Sequence, residues 1–226
     1  MRDFLIKHKW RILFMLVLCG VILASFQYAL TPDRNLRILQ PDEFDPSLVD
    51  DSMLFIKKYH KVAPWELINQ NGDTITHSDY EGKIYVADFF FTTCPTICPV
   101  MTKNMATIQE EFKNDPEVLL LSHSVTPEID NVEILRQYAD KKGVVDDKWN
   151  LVTGDRQQIY DLARKSYLAA KKKENGDDYG LIHTENFLLV DKEGRLRERS
   201  YDGTNTEDVE ALIQDIYVLK ESYQED

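Results

Sequence analysis

A chain of 226 residues with 43% hydrophobic and 29% charged side chains has enough apolar material for a globular domain of ordinary size, which excludes the disordered class. Its net charge of −12 argues against nucleic acid and anionic lipid as partners, because an acidic surface repels both. The charge is uneven: residues 1–30 hold four basic side chains (Arg2, Lys7, Lys9, Arg11) and one acid (Asp3), leaving 23 basic and 38 acidic residues, a net of −15, for the rest.

Residues 1–11 form a short basic leader. From Ile12 to Leu30, ILFMLVLCGVILASFQYAL, nineteen residues run without a charge, long enough to cross a bilayer core. Basic residues precede this stretch and none lies in it, so the positive-inside bias places the N-terminus in the cytoplasm. The expectation is an uncleaved, single-pass anchor over 12–30 in a bacterial cytoplasmic membrane, with the globular domain on the periplasmic or extracytoplasmic side. A cleaved signal peptide competes, but the apolar stretch is long for one and Ala24 and Ser25 make a poor cleavage site. A lipoprotein signal fits less well, because Leu18 stands before Cys19 where a small residue belongs. The leader also lacks the length and Arg/Ser richness of an organelle transit peptide.

Residues 31–61, with three prolines and many acids in TPDRNLRILQPDEFDPSLVDD, read as a stalk. The globular domain is expected over 62–226. WELINQNGDTIT reads as a hairpin about Asn71-Gly72. KIYVADFFF (83–91) is a buried strand by its apolar, β-rich run. A helix from Pro99 to Lys113 carries Met101, Met105, Ile108 and Phe112 on one face. EVLLLSHSV (117–125) is a second buried strand, and NVEILRQYADKKG a helix stopping at Gly143. WNLVTGD is a short strand and turn, RQQIYDLARKSY is helical, and KKKENGDDYG is a polar loop. NFLLVDKEGRLRERSY is a hairpin about Glu193-Gly194, and TEDVEALIQDIYVLKE a last helix capped by Thr206. This alternation predicts an α/β domain with a thioredoxin-like central sheet and flanking helices.

Of the three cysteines, Cys19 falls in the apolar stretch and reads as one more apolar residue there. Cys94 and Cys98 fall in FFFTTCPTICPV, where the first long strand runs into a helix, in a compartment that permits disulfides. Pro99 suits the first helical position, so Cys98 is expected to cap the helix, where the positive end of the dipole favours its thiolate. Thiolate chemistry serves both disulfide exchange and soft-metal binding, and a plain structural disulfide is a third reading. Three residues separate the cysteines, against the usual redox spacing of two. The last proline is Pro127, so the cis-proline that thioredoxin-like oxidoreductases place before a later strand has no counterpart. LIHTENFLLVD brings His183 to the approach of the late strand, which the expected fold starts at the cysteine end of the sheet. Two thiolates and an imidazole without an evident fourth ligand suit trigonal Cu(I) better than structural zinc. His60, His77 and His123 carry no functional expectation. Met101 reads as core before it reads as a thioether ligand, and Phe89–Phe91 as strand packing, with Phe91 able to shield the site.

FFFTTCPTICPVMTKNM, followed far downstream by HTENFLLVDKEGRL, resembles the SCO/SenC proteins over about residues 62–222. The resemblance implies a thioredoxin-fold, membrane-anchored copper metallochaperone for cytochrome c oxidase assembly. It implies that Cys94, Cys98 and His183 bind Cu(I) and Cu(II). The implied partners are the copper-bearing subunit of the oxidase and an unidentified copper donor or reductant. The alternative role is a thiol–disulfide oxidoreductase, acting on the oxidase cysteines or on another envelope protein, in which Cys94 attacks and Cys98 resolves. Two positions depart from the family pattern. Val125-Thr126-Pro127 stands where many members read Val-Asp-Pro, and Ile182 stands where many carry an acid before the histidine.

Overall fold

The computed structural model describes residues 2–30, 35–44, 49–50, 52–169 and 184–224, apart from the side chains of 2–7, 12, 24 and 27–30. Two compact units separate, Met1–Asn35 and Leu36–Asp226. The first is a single 29-residue helix, α1 (Arg2–Leu30). Among the described residues no helix is long and apolar enough to cross a membrane. The anchor expected over 12–30 therefore stands on the sequence alone.

The second unit is built on one seven-stranded sheet. Its strands are β1 (Glu66–Asn69), β2 (Thr74–Thr76), β3 (Ile84–Phe90), β4 (Val118–Ser124), β5 (Trp149–Thr153), β6 (Asn186–Val190) and β7 (Leu196–Asp202), in the order β2-β1-β5-β4-β3-β6-β7. β3, β4 and β5 run parallel at the centre, and hairpins add the antiparallel β1–β2 and β6–β7 pairs at the edges. Parallel central strands are covered on both faces, which is why β3 and β4 read as continuous apolar runs rather than as an alternation.

Between the strands lie α2 (Cys98–Glu111), α3 (Val132–Lys142) and α4 (Arg156–Asp161), with α5 (Thr206–Ser222) at the end. A wider π turn at Leu162–Ser166 continues α4. α3 starts on Asn131, whose side chain accepts from the Ile134 N–H, and ends at Gly143 in the left-handed conformation (φ 74°), a backbone state glycine adopts without steric cost. α5 is capped by Asn205, which accepts from the N–H groups of Glu207 and Asp208. The expected cap, Thr206, is instead the first helical residue. The side-chain oxygen one position earlier reaches the orphan N–H groups first.

Strand alternation divides the core in two. On one face Ile84, Val86 and Phe90 of β3 meet Met101, Met105 and Ile108 of α2, Leu135 of α3, and Leu212 and Ile216 of α5. On the other, Tyr85, Ala87 and Phe89 meet Trp65, Ile159, Tyr160, Leu162 and Tyr167. Met101, Met105 and Ile108 are fully buried, and each contributes roughly 2 kcal/mol of transfer free energy.

The compact unit opens at Leu36, inside the segment read as a stalk. Ile38 bridges to Arg197, the Leu39 N–H donates to the Leu196 carbonyl at 2.9 Å, and Leu39 and Val49 are buried. Isolated apolar residues in an acidic, proline-bearing stretch carry no period that would reveal this packing. Among the described residues, every member of both cores comes from Leu36 onward.

Candidate metal and redox site

β3 ends at Phe90 and α2 begins at Cys98, so the cysteine loop leaves the C-terminal end of a central parallel strand. That end is where open α/β sheets place their ligand crevices. Cys98 is the first residue of α2, one position before the sequence reading put the start, and the N-cap is Ile97 without a side-chain bond. Pro99 sits in the first turn, where its missing N–H has no partner to lose. The Cys94 N–H bonds to the Phe91 carbonyl at 3.2 Å, closing the loop's first turn.

Both thiols are free, and both are buried, Cys94 7% and Cys98 3% exposed. Their acidities diverge. Burial pushes the Cys94 thiol up, but hydrogen bonds from the backbone N–H groups of Cys98 and Thr96, the Cys98 thiol and the Thr96 hydroxyl more than offset it and bring it to about 7. The Thr96 Oγ1 lies 3.8 Å from Cys94 Sγ. Burial pushes Cys98 up to about 12, in part offset by a backbone bond from Phe91 and reinforced by the charges of Cys94 and Asp88. The sequence pointed to Cys98 as the dipole-stabilised thiolate. Its burial in an apolar core outweighs the dipole, and Cys94, which collects the N–H groups at the helix start, is the acidic thiol.

Asp88 is the residue that sequence reasoning missed. Alternation along β3 sets it on the face of Val86 and Phe90, beneath α2, and it is 2% exposed. Burial raises its carboxyl to about 7, with the Ser122 hydroxyl opposing the shift. Ser122 is itself held by the Trp149 indole N–H at 2.9 Å. Asp88 Oδ1 has no hydrogen-bond partner among the described residues. An acid inside the apolar run YVADFFF was the available signal, since a buried carboxylate is rarely retained without a task.

Tyr138 of α3 closes the same corner. Its hydroxyl lies 2.7 Å from Thr102 Oγ1, which donates to the Cys98 carbonyl at 2.7 Å. Burial raises the Tyr138 phenol to about 12, helped by the charges of Cys98, Asp88 and Cys94.

His183 lies outside the described residues, as do Ile182 and the loop KKKENGDDYG. Among the described residues no group of three His, Cys, Asp or Glu side chains is placed to hold a metal ion. The register pairs Ala87 with Leu188 antiparallel, so β6 starts, at Asn186, from the end of the sheet where the cysteine loop leaves. Thr184, the first described residue after the loop, is buried, and its hydroxyl accepts from the Asn186 N–H at 3.2 Å.

His123 belongs to the core. It is fully buried on β4, stacked on Phe89 with ring centroids 4.8 Å apart, and its Nδ1 lies 3.2 Å from the Asp88 carbonyl. Met101 is likewise fully buried among core residues. Phe91 is half-buried and packs against both cores. Thr126, the departure from Val-Asp-Pro, donates its hydroxyl to Asp130 Oδ2 at 3.0 Å. An aspartate there would set a second carboxylate against the first.

Two thiols of unequal acidity where a central strand meets a helix, above a buried carboxylate, define a thioredoxin-like thiol protein. The SCO1/SenC family model matches residues 56–218, and the chain belongs to that family. It is 34% identical to the SCO1 protein homolog of Bacillus subtilis over 159 residues, covering 70% of this chain and 81% of that protein. Among solved structures it is similar to a SCO1/SenC family lipoprotein from Bacillus anthracis, with 33% identity and TM-score 0.62 over 71% of this chain and 95% of that one. BsSco, a member of the Sco family of cytochrome c oxidase assembly proteins in which a disulfide switch was identified, matches with 33% identity and TM-score 0.60 over 70% and 92%. ScoI of Arabidopsis thaliana, solved with copper bound, matches with 27% identity and TM-score 0.54 over 69% and 97%.

Proposed function

We propose that this protein is a membrane-anchored copper metallochaperone that serves assembly of the dinuclear copper centre of cytochrome c oxidase. Cys94, Cys98 and His183 would hold the ion. The carrying observation is the pair of free, buried thiols at the strand-to-helix junction, one of them acidic enough, at about 7, to be about half ionised at neutral pH. Soft thiolates with an imidazole suit Cu(I), and copper-bound structures among the relatives support the reading. Copper arriving at Cys94 displaces the proton of Cys98, so that loading releases acid. Three-coordination leaves room for an incoming ligand, and the ion passes on by exchange. Oxidation of the pair to a disulfide removes both thiolates and blocks loading.

The anchor over 12–30 belongs to the same proposal. It would hold the domain at the bacterial cytoplasmic membrane, on the extracytoplasmic side, near a membrane oxidase, where tethering raises the local concentration. The copper-bearing subunit of the oxidase is the proposed acceptor, and a separate protein supplies copper or electrons.

The test is Cu(I) competition against a chromophoric chelator with reduced residues 36–226 and the variants Cys94→Ser, Cys98→Ser and His183→Ala. Tight one-to-one binding lost in all three is the expected result. Binding indifferent to His183 would remove the three-ligand site. A second reading is favoured by the split acidities. In it Cys94 thiolate attacks a substrate disulfide, expelling one substrate thiolate, and Cys98 then resolves the mixed disulfide. Reductase activity that survives His183→Ala would select it.

A further inference from the structure

Asp130 is fully buried, yet it lies 36 residues beyond Cys94 in sequence and belongs to no strand or helix. Its carboxylate collects four donors. The Thr92 N–H (3.1 Å), the Ser124 hydroxyl (2.6 Å) and the Thr126 hydroxyl (3.0 Å) reach Oδ2, and the Thr92 hydroxyl reaches Oδ1. Placing a carboxylate inside a protein is costly unless its lone pairs are filled, and here every partner is an N–H or O–H group.

The donors come from the chain at or just past the ends of two paired strands, β3 and β4. Ser124 ends β4, and Thr126 follows it. Thr92 lies two residues past β3 and two before Cys94. The strands themselves stay paired through the Val125 N–H on the Phe90 carbonyl at 2.9 Å. What Asp130 adds is a double grip, through N–H and O–H together, on the first turn of the cysteine loop. The same turn carries the Cys94 N–H bond to Phe91.

We propose that Asp130 is a positioning residue that acts through Thr92 to fix Cys94 relative to the start of α2. Cys94 Sγ depends on that placement for its bonds to the N–H groups of Cys98 and Thr96 and to the Thr96 hydroxyl. Those bonds stabilise the Cys94 thiolate, a form that only the reduced pair can take. A loop released from Asp130 weakens them, and the balance moves toward the Cys94–Cys98 disulfide. The inference rests on Cys94 and Cys98 being the working groups of the proposed function, and needs no copper.

The test uses the detergent-solubilised full chain carrying Cys19→Ser, so that only the pair reacts. It is equilibrated with glutathione. Two electrons and two protons leave the pair as one glutathione disulfide is reduced to two thiols, and the S–S bond forms between Cys94 and Cys98. Thr92→Val removes the hydroxyl grip on the loop, and Asp130→Asn weakens it from the other side. Ser124→Ala removes a donor of the same carboxylate at the strand end only. The expected result is at least a tenfold shift toward the disulfide in Thr92→Val and Asp130→Asn, about 30 mV, with Ser124→Ala within twofold of the parent. Thermal melts run alongside report any loss of fold. Equal shifts in Thr92→Val and Ser124→Ala would mean that the carboxylate acts only through general stability, and no shift in Thr92→Val would mean that it does not act on the pair. Either would overturn the proposal. Because no copper is present, failure of the metallochaperone reading would show in chelator competition and leave this equilibrium unaffected.

Discussion

On the proposed ligand set, copper loading removes a proton from Cys98, and the pH dependence of Cu(I) affinity measures that proton. With Cys94 at about 7 and Cys98 at about 12, the reduced pair at pH 8.5 carries Cys94 as thiolate and Cys98 as thiol. Binding as two thiolates then releases about one proton per copper ion. At pH 6 Cys94 is protonated too, and the thiols release about two. Apparent affinity therefore rises about tenfold per pH unit between 8 and 10, and the thiol contribution steepens toward a hundredfold per unit below 6.5. Above pH 8 an ordinary histidine is already neutral and adds nothing to the slope. The assay is chelator competition at fixed ionic strength, corrected for the chelator's own titration, with proton release read independently by an indicator dye in weak buffer. A flat affinity between pH 8 and 10, with no proton released, would mean that Cys98 is already ionised and that its burial does not govern its acidity.

Asp88→Asn tests the buried carboxyl. Its folded-state value of about 7 lies above the unfolded 3.8, so ionised Asp88 costs stability as pH rises from about 4 to 7. The variant should exceed the parent by up to about 4 kcal/mol at pH 8, with the gap closing toward pH 4. Urea midpoints of residues 36–226 at both pH values check this, and a pH-independent gap would refute it. The same variant removes one of the charges that raise Cys98, so the pH at which Cys98 becomes alkylated by iodoacetamide should fall. Gly203→Ala should destabilise by about 1–3 kcal/mol, because the added methyl would stand 2.7 Å from the buried Phe187 ring. An unchanged urea midpoint would show that the ring yields freely.

What the sequence made legible was local. Asn71-Gly72 and Glu193-Gly194 marked their hairpins, Gly143 stopped α3, and the spacing of Met101, Met105 and Ile108 gave the buried face of α2. The cysteine loop stood out because a proline follows each cysteine where an apolar run ends. The remaining features depend on distances along the fold that no local pattern carries. Which thiol is acidic turns on the depth of Cys98 in a core assembled from α2, α3, α5 and the sheet. The grip of Asp130 on Thr92 spans 38 residues. Leu39 joins the domain through its N–H on the Leu196 carbonyl of β7, 157 residues away in sequence, and through burial in the core.

In the proposed site two thiolates and one imidazole hold copper. X-ray absorption at the copper edge, on Cu(I)-loaded residues 36–226, reads that ligand set directly. The expected spectrum shows two sulfur neighbours and one nitrogen with the outer-shell signature of an imidazole ring, and that signature is lost in His183→Ala. A first shell of sulfur alone, or a spectrum unchanged by His183→Ala, would contradict it.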